Sequence, residues 1–170
     1  IKHKKCDYIS TLKLNKMNKN IKFRSFKEGD YETCCEWWRW WWGRFNAEPV
    51  RRAFLPEDER CFIIEKNNVP VAATFLFLTE VPAVVWTTYL VSNPKYKEKD
   101  RRDLMYLLIQ GVEKKAEEYG ALQIFTVCND VHVSDIHKKL GWDMSPSKHE
   151  AFKYIENNLR KIDNNYGKKF

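Results

Sequence analysis

The sequence predicts a single α/β domain of the α+β type, in which a mixed central β-sheet is flanked by helices. Two apolar segments rich in β-branched and aromatic residues, 84–91 and 122–127, have the composition of buried strands. Between them, residues 101–119 carry apolar side chains at helical spacing, and Gly120 follows where a helix C-terminal glycine belongs. This order of strand, helix and strand predicts a sheet with helices packed on it.

The remaining elements follow from the same two periodicities. Asp30 is a favourable N-cap for a helix that is predicted to run to about Phe45. Asn67-Asn68, between two apolar runs, is typical of a β-hairpin turn. The other predicted elements are strands at 21–26, 61–64, 69–78 and 149–155 and a short helix at 131–140.

Length and charge narrow the class of protein. A chain of 170 residues is long enough to bury its own core in one domain, which we assign to residues 21–155. Residues 1–20 are predicted to be a flexible basic extension, and residues 156–170 a polar tail. A formal net charge of +7 favours anionic partners, such as a phosphorylated cofactor, nucleic acid or an acidic surface.

The cysteine pattern and the hydropathy predict a cytoplasmic protein. Five cysteines are scattered without a CxxC pair, which is typical of reduced thiols and suggests no metal site. No apolar run is long enough to span a bilayer, and the N-terminus lacks the apolar segment of a signal peptide. We therefore expect no membrane partner.

A basic loop lies between the first of the two central strands and the long helix. Residues 95–102 contain five lysine and arginine side chains. A helix N-terminus has unpaired amides and the positive end of the dipole, so a loop of this kind stabilises a bound phosphate. Asp100 and Asp103 occupy the positions of an N-cap and a third helical residue, where carboxylates favour the helix but repel a phosphate. The basic side chains outnumber them.

The order of strand, basic loop, helix, strand and closing segment 137–142 resembles the GNAT family of acyl-CoA N-acyltransferases. The resemblance covers residues 21–155 and implies a GNAT-like sheet that binds acetyl-CoA or another acyl-CoA. In that family, a loop of pattern Arg/Gln-x-x-Gly-x-Gly/Ala wraps the pyrophosphate. Here Asp100 and Arg102 replace both glycines, and His137 replaces the tyrosine of the closing segment. The chain resembles a divergent member with a degenerate pyrophosphate loop.

The resemblance also assigns candidate residues to the acyl-CoA donor. Backbone groups at the end of the central strand would hold the acyl carbonyl and the pantetheine arm, and the basic loop would hold the phosphates. An asparagine in the turn after the second strand completes the set, and the alternatives for this position are Asn129 and Asp130. The donor-binding candidates are Leu90, Val91, Lys97, Lys99, Asp100, Arg101, Arg102 and Asn129.

Catalytic roles follow from the chemistry of acyl transfer to an amine. The amine must lose a proton, attack a thioester carbonyl and expel a thiolate. His137 is the candidate acid that protonates the thiolate, and the alternative is a hydrogen-bonded histidine of the core. Glu80, Asp130 and His132 are candidate bases that no spacing argument separates. Thr87, Thr88 and Tyr89, on the central strand, can orient the amine or a water molecule.

Five tryptophans between positions 37 and 42 are the most unusual feature of the sequence. They cannot share one face of a helix, so some must pack in the core while others face a ligand or a partner. One interpretation is an aromatic wall for a planar or cationic acceptor, with at least one of Trp38, Trp41 and Trp42 lining the acceptor cleft. The other is a hydrophobic helix that a second subunit covers in a homodimer.

Three functions therefore follow from the sequence. The leading prediction is an N-acyltransferase, and in particular an N-acetyltransferase, that acts on a primary amine of a small molecule or a protein. The second is a nucleic-acid-modifying or nucleic-acid-binding domain of the same fold, which would use the positive charge and the tryptophans. The third is a non-catalytic, degenerate GNAT-like module.

Overall fold

The computed structural model describes residues 20–43, 47–80, 83–128 and 130–145, together with the backbone of residues 150–154. The predicted C-terminal tail and all but the last residue of the predicted N-terminal extension lie outside these residues. The strands are β1 Ile21–Ser25, β2 Cys61–Lys66, β3 Val69–Leu78, β4 Val84–Ser92, β5 Gln123–Val127, β6 Asp143–Met144 and β7 Glu150–Tyr154. The helices are α1 Asp30–Trp42, α2 Arg101–Glu118 and α3 Val131–Lys139.

The seven strands form one mixed sheet in the order β1-β2-β3-β4-β5-β7-β6. Strands β4 and β5 run parallel, and every other neighbouring pair is antiparallel. Helix α2 makes the connection between the parallel strands, as such a pair requires. The predicted α/β fold with a mixed sheet and flanking helices is therefore confirmed.

The two faces of the sheet carry separate apolar cores. On one face, α1 buries Trp37 and Trp38 against Ile63 of β2 and Phe75 of β3. We call this face the α1 face. The opposite face packs against α2 and α3 through alternate residues of the strands, and its core includes Phe62, Ile64, Leu76, Val85, Leu108, Val112 and Ile136. Trp40 remains 64% exposed, which agrees with the prediction that the tryptophans cannot share one environment.

The hairpin between β2 and β3 follows the prediction, whereas the start of α1 does not. Asn67 and Asn68 both adopt positive φ angles, 53° and 62°, as a tight hairpin turn requires. Asp30 is the first residue of α1 rather than its N-cap, which is Gly29. The buried Asp30 carboxylate instead accepts hydrogen bonds from the guanidinium of Arg24 and the N–H of Lys27.

Two boundaries also differ from those predicted. Helix α1 ends at Trp42 rather than near Phe45, which lies outside the described residues. Strand β6 has only two residues, too few to show an alternating pattern in the sequence, and was not predicted.

The described cysteines are buried free thiols, in agreement with the reduced state that the sequence predicts: Cys34, Cys35, Cys61 and Cys128. Burial raises the pKa of Cys61 to about 12, so its thiol stays protonated at neutral pH. In the described part of the chain, no helix has the length and apolar composition needed to cross a bilayer. The same residues contain no group of three side chains placed to hold a metal ion.

Candidate active site

A cleft opens where the parallel strands β4 and β5 part. Their pairing runs from Val84 with Gln123 to Trp86 with Phe125 and stops there, although β4 continues to Ser92. Beyond Trp86, the backbone groups of β4 that point towards β5 therefore have no strand partner. Such groups are available to bind the polar backbone of an extended ligand.

A β-bulge distorts β4 beside this cleft. Ala73 of β3 pairs with Val91, but Phe75 pairs with Thr88, so β4 contains one more residue than β3 over this stretch. Tyr89 lies in the bulge and adopts a φ of 57°, a left-handed conformation that is uncommon for a residue with a side chain. Strain of this kind is concentrated at functional sites.

The cleft has a polar wall of hydroxyl groups and an apolar floor. The space between its walls is about 370 Å³, a volume that includes solvent at its open mouth. Thr74 and Thr87 are 3.0 Å apart at their hydroxyl oxygens and form part of the wall. The lining consists of Thr74, Thr87, Thr88, Leu90, Ile109, Val112, Thr126, Val127, Cys128, Val133, His137 and Trp142.

His137 lies in the wall of this cleft and is 2% exposed. Its Nδ1 is 2.9 Å from the carbonyl oxygen of Val133, and its ring packs edge-on against Trp142 at 4.7 Å. A carbonyl only accepts hydrogen bonds, so Nδ1 carries a proton in this contact. Burial lowers the pKa of His137, and the hydrogen bond to Val133 opposes this effect only in part. The neutral ring therefore has Nε2 as a proton acceptor.

Cys128 lies beside His137 in the cleft but is not an activated nucleophile. Its Sγ is 3.5 Å from Nδ1 of His137. Because Nδ1 donates to Val133, it cannot also serve as a base for the thiol. Burial raises the pKa of Cys128 to about 11, so the group is a thiol at neutral pH.

The C-terminal end of β4 meets the N-terminus of α2. Arg101, the first residue of α2, donates a hydrogen bond of 2.6 Å to the hydroxyl of Ser92, the last residue of β4. Its guanidinium carbon lies 5.6 Å from the ring centre of Trp41, and Nε1 of Trp41 donates to the Ser92 carbonyl. Among the described residues, no carboxylate pairs with Arg101. Burial lowers the pKa of Arg101. The ordinary pKa of a guanidinium is so high, however, that the group stays charged at neutral pH.

Asp100 occupies the N-cap position of α2, as predicted, but its side chain does not cap the helix. Its side chain makes no capping hydrogen bond and instead pairs with Nζ of Lys66 and, at 2.8 Å, with the hydroxyl of Tyr96. Burial alone would raise the pKa of Asp100, but the hydrogen bonds from Lys66 and Tyr96 outweigh burial and lower it. The carboxylate is thus neutralised by Lys66. No backbone acceptor is found among the described residues for the N–H groups of Arg102 and Asp103.

The other cations of the basic loop lie at the surface. Lys97 and Lys99 are exposed. Arg102 is also exposed, and its guanidinium is 3.6 Å from the carboxylate of Asp135 on α3. An exposed pair at this distance is weak, so Arg102 can exchange it for a phosphate at little cost.

The three tryptophans proposed for the acceptor occupy different environments. Trp38 is fully buried between Trp42 and Phe75, at ring distances of 5.8 and 5.6 Å. Its Nε1 is a buried side-chain polar atom without a hydrogen-bond partner. Trp42 is half-buried, and Trp41 faces the basic loop through Arg101. The structure brings none of the three into the lining of the cleft.

The remaining candidates divide between the cleft and other positions. Leu90 and Thr88 line the cleft, whereas Val91 points into the α1-face core. Asp130 is exposed and caps α3, since its Oδ1 accepts hydrogen bonds from the N–H groups of His132 and Val133. Glu80 is exposed next to the first residues of β4, at the opposite end of that strand from the parted region. Asn129 lies outside the described residues.

Several residues of the site were not identified from the sequence. Ser92, Cys128, Thr74 and Thr126 reach the site through strand pairing and the position of α2, for which a single sequence carries no signal. Tyr89 was identified from the sequence, but its left-handed conformation was not, because bulges have no reliable sequence pattern when the residue is not glycine.

The fold of this chain is similar to that of solved acetyltransferase structures, one of which is described as a member of the GNAT family. Solved structures with this fold include N-acetylglutamate synthase from Neisseria gonorrhoeae, complexed with coenzyme A and L-arginine, with a TM-score of 0.62 and 11% identity. That comparison covers 79% of this chain and 33% of the synthase, so this chain spans about a third of that protein.

Two other similar structures are close to this chain in length. A GNAT-family acetyltransferase from Staphylococcus aureus has a TM-score of 0.58 and 12% identity over 79% of this chain and 99% of its own. The aminoglycoside 6'-N-acetyltransferase from Enterococcus faecium has a TM-score of 0.58 and 11% identity over 79% of this chain and 97% of its own. No protein-family model matches the sequence, and no curated protein matches it significantly.

Proposed function

We propose that this chain is a divergent GNAT acyltransferase that transfers an acyl group, most simply acetyl, from acyl-CoA to a primary amine of a small molecule or a protein. The observation that carries the proposal is the cleft between β4 and β5, which His137 lines. It is accompanied by Arg101 at the start of α2, a cation that contacts the last residue of β4 and pairs with no carboxylate among the described residues. The fold shared with acetyltransferases, one of them complexed with coenzyme A, supports the same donor.

The residues present fit a coenzyme A donor. Arg101, Lys97, Lys99 and Arg102 would bind the phosphates with the first-turn amides of α2, and Asp100 does not oppose them because Lys66 neutralises it. The backbone of Leu90 and its neighbours in β4 would bind the pantetheine amides. Acyl-CoA supplies an acyl group activated as a thioester.

The described residues can also move the proton that the reaction requires. In the neutral tautomer of His137, Nε2 accepts a proton from the attacking amine and the resulting imidazolium donates it to the leaving sulfur. His137 would thus act first as a base and then as the acid predicted from the sequence. The hydroxyl of Thr88 would orient the amine. Glu80, Asp130 and His132 are not in the lining of the cleft, whereas His137 is, so we assign the proton relay to His137.

Calorimetric titration with acetyl-CoA tests the donor. Because the phosphate contacts are ionic and largely exposed, the affinity should fall steeply as salt is raised. The triple variant Lys97→Gln, Lys99→Gln, Arg102→Gln should bind acetyl-CoA at least about tenfold more weakly at low salt, which corresponds to about 1.4 kcal/mol.

A matched control separates specific contacts from net charge. The variant Lys114→Gln, Lys138→Gln, Lys139→Gln removes the same number of exposed or half-exposed cations from elsewhere on the surface and should retain the wild-type affinity. The absence of any binding heat at low salt by the folded wild-type protein would contradict the proposed donor. If both variants bound acetyl-CoA equally weakly, the loop would contribute to binding only through the net charge of the protein.

A further inference from the structure

Four aromatic side chains form a continuous surface on the α1 face, next to the cleft. Phe77, Trp86 and Phe125 are aligned in register across β3, β4 and β5. The rings of Trp86 and Phe125 stack at 5.3 Å, and Tyr89 packs edge-on against Phe77 at 6.0 Å. We call these residues the aromatic row. Trp86 is 41% exposed and Tyr89 is 36% exposed, so the row presents ring surface to solvent.

The bulge in β4 is what adds Tyr89 to the row. In a regular strand, successive side chains point to opposite faces, so Tyr89 would lie on the face opposite Thr88. The extra residue breaks this alternation, and the Tyr89 ring meets Phe75 and Phe77 on the α1 face. The left-handed backbone of Tyr89, with a φ of 57°, destabilises the fold locally. The cost is explained if the ring has a binding role.

The aromatic row lies beside the position where the reaction would occur. Trp86 is two residues before Thr88 on β4, a separation of roughly 7 Å along the strand, and Thr88 lines the cleft. A ring stacked on Trp86 would therefore hold an attached amine near Thr88, where β4 and β5 begin to part. This continuity connects the aromatic surface to the acyl-transfer site.

The charge of the cleft excludes one class of acceptor. Its lining contains no carboxylate among the described residues, and His137 is neutral. A polycationic amine would find no counter-charge there. A planar ring, by contrast, would gain stacking contacts with Trp86 and Tyr89.

We propose that the acceptor is a primary amine carried by a planar aromatic group that stacks on the aromatic row, a proposal that rests on the proposed function. The amine nitrogen forms a bond to the acyl carbon while the carbon–sulfur bond of the donor thioester breaks. The proton lost by the nitrogen passes to the sulfur, giving free coenzyme A and an amide that carries the aromatic group. No other reactant is required.

A comparison of two amine acceptors tests whether an aromatic ring is recognised. With acetyl-CoA as donor, 2-phenylethylamine should have a kcat/KM about three- to tenfold above that of 2-cyclohexylethylamine, which has a similar size but no π-face. The variant Trp86→Ala should remove most of this preference. Trp40→Ala, which removes a tryptophan that is 64% exposed on α1, should retain it.

A binding measurement makes the result independent of turnover. Calorimetry of 2-phenylethylamine with the protein saturated by coenzyme A should show the same preference and the same loss in Trp86→Ala. Equal use of the two amines, or unchanged preference in Trp86→Ala, would overturn the aromatic acceptor while leaving acyl transfer intact. A change of oligomeric state in Trp86→Ala, with acceptor use unchanged, would assign the row to a second copy of the chain. Failure to bind acetyl-CoA would instead remove the proposed function, and the inference with it.

Discussion

The tautomer of His137 determines what this side chain can do. The Val133 carbonyl fixes the proton on Nδ1, and burial keeps the ring neutral. Nε2 is then a base at neutral pH, although a histidine at this position of the sequence was predicted to be an acid. The two roles are compatible when one atom first accepts the proton and then releases it.

Replacing His137 by glutamine should remove the relay, because an amide side chain neither gains nor loses a proton near neutral pH. We expect kcat to fall about 100-fold, the low end of the effect of a general acid–base group, with little change in acetyl-CoA affinity. In the wild type, kcat should fall as the pH drops through a midpoint below 6.5, because protonation of Nε2 removes the base and the pKa is lowered from that value. This acid limb should be absent in His137→Gln.

His132→Gln is the matched control, since His132 is exposed on the same helix. It should keep both the rate and the acid limb. If His137→Gln lowered the melting temperature and the donor affinity together without a specific effect on kcat, the histidine would be a residue of the core.

For individual side chains, the sequence predicted which residues lie at the site better than it predicted which residues they contact. His137 was selected by its place before Leu140-Gly141-Trp142, and it does line the cleft. Asp100 was expected to cap α2 because it occupies a capping position, but Lys66 and Tyr96 bind it more strongly. A contact between residues 34 positions apart in the chain has no local signature.

Among the elements, β4 determines the shape of the site. It pairs with β3 along most of its length but with β5 only up to Trp86. The bulge at Tyr89 follows in the part of β4 that has left β5. The apolar composition of the strand predicted its position well. The parting and the bulge depend on how three strands twist together, so composition could not predict them.

The close packing of helix α2 on the sheet depends on a glycine. A Cβ atom added at Gly111 would lie 2.5 Å from a ring carbon of Phe23 in β1. The Phe23 ring stacks on Phe62 at 5.1 Å, so it cannot easily move aside. Gly111 is therefore a site where only the smallest residue permits this packing.

Gly111→Ala should lower the free energy of unfolding by about 1–3 kcal/mol, because the overpacking outweighs the better helix propensity of alanine. Urea denaturation provides the measurement. Gly43→Ala is the control, since a Cβ there has no neighbour within 4 Å and φ is already helical at −55°. A neutral or stabilising effect at Gly111, equal to that at Gly43, would show that α2 can shift without cost.

Over the whole molecule, the order of strands and helices was predictable because each element has a clear apolar period. The arrangement is shared with acetyltransferases at 11–12% identity, so a very different set of side chains maintains the same sheet. The tryptophans of α1 illustrate the limit of sequence analysis. Their number indicated more than one environment, but only the sheet shows that Trp38 is core and that Trp41 supports Arg101.

The most direct test of acyl transfer is the stoichiometry of the two products. The purified protein should be incubated with acetyl-CoA and 2-phenylethylamine, and then with a panel of other primary amines. The coenzyme A thiol released and the acetylated amine, identified by mass spectrometry, should be quantified together. We expect equal amounts of both for at least one amine, above the level without protein and strongly reduced in His137→Gln. Thiol release without an acetylated amine, or no thiol release from a protein that is folded, would contradict acyl transfer.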